Sequence, residues 1–464
     1  MNVRTRIAPS PTGEDLHIGN LYTALINWTV ARKNKGKFIV RIEDTDRERF
    51  VKGAQEKILS SLKAFRLDYD EGPDIGGPFA PYRQSERLPL YQKYIQELIN
   101  KGHAYYCFCT KERLDTMRKE QISKKQPPKY DRYCLTQVKD TQEKIKNGEK
   151  YVIRLKVPGK KEVVFNDLIR GEIKINTNEV DDQVLIKSDG FPTYHFGVVV
   201  DDHLMEISHI IRSEEWIVST PKHILLYEAF GWNLPVFAHV PILRNPDRSK
   251  LSKRKNPVWV SWYLQEGFLP EAVLNYLALL GWSHPGEKEI FSIEEFTSCF
   301  ELKDMNSVGP IFDLTKLTWM NQQYIQMLPS SELKEEIIKF YPKAGELPAV
   351  TFDKLIPLLK TRLSTLKDFI KLTGYFFSVP DVKIRNDKEE IVAKELLLAL
   401  KQTTSWNKDT IFAAFKSILS SQDIRMPILY YICTGQEKGL PLPESLEILG
   451  KEETVERLEK IQSI

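Results

Sequence analysis

Three observations predict an α/β domain on a parallel sheet, with an inserted α+β module and an all-α C-terminal third. The first residues run strand, helix, strand. A polar, Lys/Arg-rich stretch with short β-like runs interrupts the chain after residue 106. Nearly everything after about residue 325 keeps helical spacing. The 464 residues suffice for about three domains with large cores. With 42% hydrophobic and 28% charged residues, the composition excludes a disordered tail, a collagen-like fibre and a disulfide-stapled mini-protein.

Residues 3–8 are β-prone and end at Pro9-Ser10-Pro11-Thr12-Gly13, a dense turn signal. Ile18, Leu21, Tyr22, Leu25 and Ile26 then follow helical spacing, which stops near Asn34-Lys35-Gly36. Residues 37–42 read as a second strand, followed by Glu43-Asp44-Thr45-Asp46. Such a unit predicts two parallel strands with a right-handed crossover. Ligands of such sheets bind beyond the C-terminal strand ends, where both turn segments lie. Lys111, Arg113, Arg118, Lys119, Lys124, Lys125 and Lys129 open the inserted module, and residues 151–155 and 162–165 are its β-like runs. The apolar runs 194–200 and 207–211 are expected to be strands that resume the parallel sheet. Residues 272–280 are helical, and the helical C-terminal part breaks at Pro342, Pro348, Pro380 and Pro441-Leu442-Pro443. The expected organisation is a split domain of residues 1–106 and 190–245, a module of 107–189, a domain of 246–325 and a helical domain of 326–464.

Five cysteines, an odd number with no disulfide framework, point to a reducing cytoplasm. The opening Met1-Asn2-Val3-Arg4-Thr5-Arg6 lacks the apolar stretch of a signal peptide. Apolar runs such as residues 196–200 are too short to span a bilayer, so no membrane association is expected. The net charge of +4 suits nucleic acid and suits many other soluble enzymes equally.

Two motifs carry chemistry. His17-Ile18-Gly19-Asn20 opens a helix, where backbone N–H groups and the positive dipole end favour phosphate oxygens. Lys250-Leu251-Ser252-Lys253-Arg254-Lys255 is a run of cations that can neutralise charge building on a leaving pyrophosphate. Alone, the first also fits an ordinary βα turn and the second a solvated basic loop. Together, more than 200 residues apart, they resemble the pairing used by class I aminoacyl-tRNA synthetases.

The resemblance is closer still to glutamyl-tRNA synthetase of the bacterial type. Arg6-Ile7-Ala8-Pro9-Ser10-Pro11-Thr12-Gly13, Arg41-Ile42-Glu43-Asp44-Thr45-Asp46 and Asp189-Gly190-Phe191-Pro192-Thr193-Tyr194-His195 carry it, with Val199-Val200-Asp201-Asp202-His203 and Ile211-Arg212-Ser213-Glu214-Glu215-Trp216. One departure is visible: three residues separate Gly13 from His17, where the family commonly has two. The resemblance implies a Rossmann-like catalytic domain, an acceptor-binding module, a stem-contact domain and an α-helical anticodon-binding domain. It implies a glutamate–tRNA ligase that uses ATP with Mg²⁺ and L-glutamate, works as a monomer and charges tRNA(Glu), or also tRNA(Gln) if non-discriminating.

The family's roles map onto matching positions. His17, Lys250 and Lys253 are the expected catalytic groups on the phosphates. Thr12, His17, Gly19, Asn20, Glu215 and Lys253 are expected at ATP. Arg6 and Arg212 are expected on the glutamate side-chain carboxylate, because a guanidinium binds it bidentately and stays charged. Glu43 and Tyr194 are expected on the α-amino group, with Ala8, Ser10 and Trp216 lining the pocket. A nucleotidylyltransferase also uses a His-x-Gly turn but has no use for a helical third, and truncated paralogues lack that third. Arg362 is a candidate for anticodon contact. Cys107, Cys109 and Cys134 are either reduced structural cysteines or ligands of tetrahedral Zn²⁺. In zinc-containing relatives a fourth ligand, often a His, follows the last Cys; here Leu135 and Thr136 follow, and Tyr130 is the substitute.

Overall fold

The computed structural model describes residues 2–252 and 256–462. The chain forms two compact units, one of Met1–Trp262 and Leu274–Asp313, the other of Tyr263–Val273 and Leu314–Ile464.

In the first unit, β1 (Arg4–Ile7) and β2 (Lys37–Val40) pair in parallel, Arg4 opposite Lys37 and Ile7 opposite Val40. The helix α1 (Ile18–Lys33) connects them, as the sequence spacing predicts. It ends where Lys35 turns into the left-handed region at φ 52°, with Arg32 and Lys33 facing its negative dipole end. Ile18, Leu21, Leu25 and Ile26 are fully buried, and each such side chain contributes about 1.5–3 kcal/mol.

The inserted stretch holds β3 (Ala104–Cys107), β4 (Val152–Leu155), β5 (Glu162–Asp167), β6 (Gly171–Asn176) and β7 (Val184–Ile186). β3, β4 and β7 form an antiparallel sheet of order β3-β4-β7. β8 (His209–Ser213) and β9 (Val236–Val240) pair in parallel around the helix Thr220–Phe230, a second strand-helix-strand unit. β5 joins β9 in parallel at Asp167 opposite Phe237, and β6 completes the order β6-β5-β9-β8. Ser208 ties β1 to this sheet: its backbone N–H donates to the Arg4 carbonyl at 3.0 Å, and its Oγ accepts from the Arg4 N–H at 2.7 Å. The C-terminal ends of β1 and β8 therefore face the same space.

One expectation is overturned. Residues 194–200 are not a strand but the first turns of the helix Tyr194–Leu204. Phe196, Val198, Val199 and Val200 are all nearly inaccessible, in a core with Ile224, Tyr227 and Phe237. A helix buried on every side shows the same unbroken apolar run as a central strand, so periodicity does not separate them. The run at 207–211 does lead into a strand, β8.

The second unit is helical throughout its elements. One core gathers Leu333, Ile337, Phe352, Leu355, Leu359 and Phe369; another gathers Leu396, Leu400, Phe415, Ile418, Leu429 and Leu446. Pro348 and Pro441 cap helix N-termini, where the missing N–H costs nothing. Arg362 is exposed just beyond the helix Ala349–Lys360. Among the described residues no helix is long and apolar enough to cross a membrane.

Candidate active site

The two motifs converge within the first unit. The Ile18 N–H donates to the Val258 carbonyl at 2.7 Å and the Val260 N–H to the Leu16 carbonyl at 3.0 Å, locking the His17 turn to the segment that follows the lysine loop. The longer spacer is anchored by Asp15, whose carboxylate accepts from the Leu16 N–H at 2.7 Å, Ser61 Oγ at 2.8 Å and the Ser261 N–H at 2.9 Å. A Cβ on Gly13 would come within 2.5 Å of the Trp259 ring, so only glycine permits this approach.

His17 is the N-cap of α1 and its Nδ1 accepts from the Gly19 N–H at 3.0 Å. Nε2 is then the ring's N–H donor, suited to a phosphate oxygen. A Cβ on Gly19 would crowd Nδ1 at 3.2 Å, which explains the glycine two residues after the imidazole. A cavity of about 320 Å³ is lined by His17, Gly19, Asn20, Thr12, Glu215 and Lys250. Lys250 Nζ donates to both Glu215 oxygens, at 2.6 and 2.7 Å. The lysine loop is shaped by Asn245, whose Nδ2 donates to Ser249 Oγ at 3.0 Å and the Lys250 carbonyl at 3.1 Å. Lys253 lies outside the described residues.

A larger adjoining cavity of about 850 Å³ shares Ser10, Thr12, Asn20, Thr23 and Ser213 with the first. Every residue expected at glutamate lines it: Arg6, Ala8, Ser10, Glu43, Tyr194, Arg212 and Trp216. The strand ends supply Arg6, Glu43 and Arg212; the first turn of the helix Tyr194–Leu204 supplies Tyr194, whose ring packs on Trp216 with centroids 4.2 Å apart.

The two arginines differ. Arg6 Nε and Nη2 each donate to Asp202 at 3.1 Å, and Nη1 makes a long 3.4 Å contact to the Ile211 carbonyl. Burial pushes Asp202 up, but Arg6 and Arg41 outweigh it and hold the carboxyl below the usual range. Arg212 donates only to neutral groups: His239 Nε2 at 3.1 Å, His223 Nδ1 at 3.1 Å, the Tyr194 hydroxyl at 3.2 Å and Thr220 Oγ1 at 2.9 Å. Among the described residues no carboxylate pairs with it. Burial, with Arg212 nearby, holds both histidines below their ordinary values. Arg6, Arg41 and Arg87 face Asp201, Asp202 and Glu43, so these balance when all are ionised. Arg212, 4% exposed on a cavity wall, has no carboxylate in direct contact; the buried Asp167 carboxylate lies one imidazole away, across His239. Burial pushes the Glu43 carboxyl up to about 7 against the pull of Arg41, whose Nη2 donates to it at 3.1 Å.

Sequence reasoning missed Asp167, Thr220, His223 and His239 around Arg212. The available signal was a lone polar residue, His239, in the apolar strand Val236–Val240.

The sulfurs of Cys107, Cys109 and Cys134 lie within 4.8 Å of one another. Tyr130 Oη is 3.4 Å from the Cys107 sulfur and 3.3 Å from that of Cys109. A tetrahedral zinc with bonds of about 2.3 Å has sulfur–sulfur edges of about 3.8 Å, so the cluster fits the ion. The Arg154 guanidinium sits 4.0 Å over the Tyr130 ring, a cation beside the cysteine cluster.

Residues 2–319 match the family described as tRNA synthetases class I (E and Q), catalytic domain, and residues 327–462 match the anticodon binding domain family. The chain belongs to the class I tRNA synthetases of this E and Q group. A glutamate–tRNA ligase of Fusobacterium nucleatum is 44% identical, covering 99% of this chain and 97% of that one. One from Acidothermus cellulolyticus is 43% identical over 100% of this chain and 96% of its own length. The crystal structure of a glutamate tRNA ligase from Elizabethkingia meningosepticum in complex with its amino acid is similar over 100% of this chain and 99% of that one, with TM-score 0.86 and 35% identity.

Proposed function

We propose that the chain is a glutamate–tRNA ligase. It activates L-glutamate with ATP and transfers the glutamyl group to the 3′ end of tRNA. The observation that carries this reading is the buried Arg212, held entirely by neutral groups beside Glu43, in a cavity continuous with the His17 and Lys250 surface. A side-chain carboxylate supplies the direct ion-pair partner that this cation lacks. A glutamine amide would leave that charge unmatched and turn N–H donors toward a guanidinium that can only donate. Ionised Glu43 accepts from the α-ammonium. Tyr194 orients the substrate beside it, and Arg6 adds Nη1 to the carboxylate end.

The glutamate α-carboxylate then attacks the α-phosphorus of ATP, and the bond to the bridging oxygen breaks, releasing pyrophosphate. His17 Nε2–H, Lys250 and Lys253 neutralise the departing phosphates, with Thr12, Gly19, Asn20 and Glu215 placing the nucleotide. The terminal ribose hydroxyl attacks the carbonyl of the adenylate, loses its proton and releases AMP. The chain's contribution is alignment and charge neutralisation, with no covalent protein intermediate. Mg²⁺ accompanies ATP.

We assign residues 107–189 to the tRNA acceptor end, 246–325 to stem contact and 326–464 to the anticodon, in a monomeric cytoplasmic enzyme. Cys107, Cys109, Cys134 and Tyr130 would hold a structural Zn²⁺, which would cross-link the inserted module. Metal analysis of purified protein should give about one zinc per chain. A stoichiometry well below that retires the site. Charging of purified tRNA(Glu) and tRNA(Gln) with labelled glutamate tests the function. Glutamylation of tRNA(Glu) is expected, its absence contradicts the reading, and product on tRNA(Gln) marks a non-discriminating enzyme.

A further inference from the structure

We infer that Asp167 and His239 are positioning residues that fix a histidine tautomer and thereby keep the Arg212 guanidinium available to the substrate carboxylate. This rests on the reading of Arg212 given above and adds two residues with no contact of their own to glutamate.

An arginine can only donate, so the Arg212 Nε–H at 3.1 Å requires His239 Nε2 to be an acceptor. The ring proton must then sit on Nδ1, which faces Asp167 Oδ2 at 2.6 Å. The other Asp167 oxygen is committed elsewhere: Oδ1 accepts from the backbone N–H groups of Ile169 at 3.0 Å and Arg170 at 3.1 Å. The carboxylate is therefore locked by the turn after β5 with one oxygen aimed at His239. Both residues are at most 1% exposed, so no water competes for either ring nitrogen. Burial keeps the imidazole neutral at ordinary pH.

The opposite side of the guanidinium is held in the same way. His223 Nδ1 accepts from Arg212 Nη1, so His223 Nε2–H points at His195 Nδ1, 3.1 Å away. Two neutral imidazoles orient the cation, and the Asp167 carboxylate is kept one ring away from it. Asp202, by contrast, cancels Arg6 directly.

Asp167→Asn tests this with almost no change in shape. Two backbone N–H groups require an acceptor at the Oδ1 position, so the new amide NH₂ must occupy the Oδ2 position. It donates to His239 Nδ1, and the ring proton moves to Nε2. That proton turns to Thr220 Oγ1, 3.2 Å away, and Arg212 Nε loses its acceptor. In tRNA charging by the full chain, KM for glutamate should rise about ten-fold, the size of one lost hydrogen bond to a charged group. KM for ATP should stay within about two-fold, since the ATP contacts are separate. In a His239→Gln background, whose amide oxygen serves Arg212 without any tautomer, Asp167→Asn should cost much less.

Unchanged glutamate KM in Asp167→Asn, an equal rise in both KM values, or the same cost in both backgrounds would overturn the inference. ¹⁵N-histidine spectra of the unmodified protein, with His239 assigned by the signal missing in His239→Gln, are independent of how the Asn variant folds. A neutral Nδ1–H form is expected, and an Nε2–H form would refute the idea. Arg212→Ala separates the two levels. If it leaves glutamate KM unchanged, the reading of Arg212 falls; if it raises that KM while Asp167→Asn does not, only the positioning role falls.

Discussion

The two adjoining cavities solve different electrostatic problems with different materials. The glutamate cavity uses groups that are almost inaccessible: Arg212 and Arg6 are each 4% exposed, and four of the five N–H donors of Arg212 are committed to named acceptors. The nucleotide side uses Lys250, whose side chain is 54% exposed and paired with a half-exposed Glu215. The difference teaches where discrimination has to reside. Telling a carboxylate from an amide needs a charge already desolvated and oriented, because in water the two differ little in contact energy. Holding a triphosphate needs positive charge in reach, and an exposed lysine supplies it for about 1 kcal/mol or less of pairing to break.

The largest expected break in this comparison is on the phosphate side. Lys253→Ala should lower the charging rate about 100- to 1000-fold with the melting temperature unchanged, the scale of one lost transition-state donor. Stopped-flow or quench kinetics would read it, and wild-type rates would remove the loop from the chemistry. On the amino-acid side, Arg212→Ala should raise KM for glutamate about 100-fold while KM for ATP moves little, because one partner of a buried charge pair is lost. A rise confined to ATP would exchange the roles of the two cavities.

A smaller, pH-dependent effect sharpens the contrast. Glu43 titrates near 7 because burial raises it. A carboxylate raised in this way holds its proton below that value, and only the ionised form accepts from the α-ammonium. Glutamate affinity should therefore be full above about pH 7 and fall as pH drops through it, by up to about ten-fold per pH unit. ATP affinity should not follow. Glu43→Gln should erase the pH step, and a persisting step would assign it to another group. The smallest effect is at Glu215→Gln, which frees Lys250 from an exposed pair and should change KM for ATP by no more than about five-fold.

Much of this site is legible in the chain. The Pro9–Gly13 turn and the start and end of α1 follow from local spacing; the pairing of His17 with Lys250 comes from the family resemblance, and the structure brings those two side chains to one cavity. Tyr130, named from the sequence beside the three cysteines, lies with its hydroxyl near the Cys107 and Cys109 sulfurs. The helix Tyr194–Leu204 is misread because burial on all sides erases its periodicity. The support of Arg212 is illegible for another reason. Asp167 and His239 meet across 72 positions through strand pairing, and nothing local to either residue announces the other. The same holds for Lys250 and Glu215, which meet across 35 positions.

The measurement that bears most directly on the central claim is the ratio of kcat/KM for glutamate over glutamine in charging of tRNA(Glu). A buried Arg212 with no carboxylate in direct contact predicts a preference of about 10⁴-fold, which should collapse in Arg212→Ala. A ratio within about ten-fold in the unmodified enzyme would contradict the account, because a wall charge of this kind cannot treat the two side chains alike.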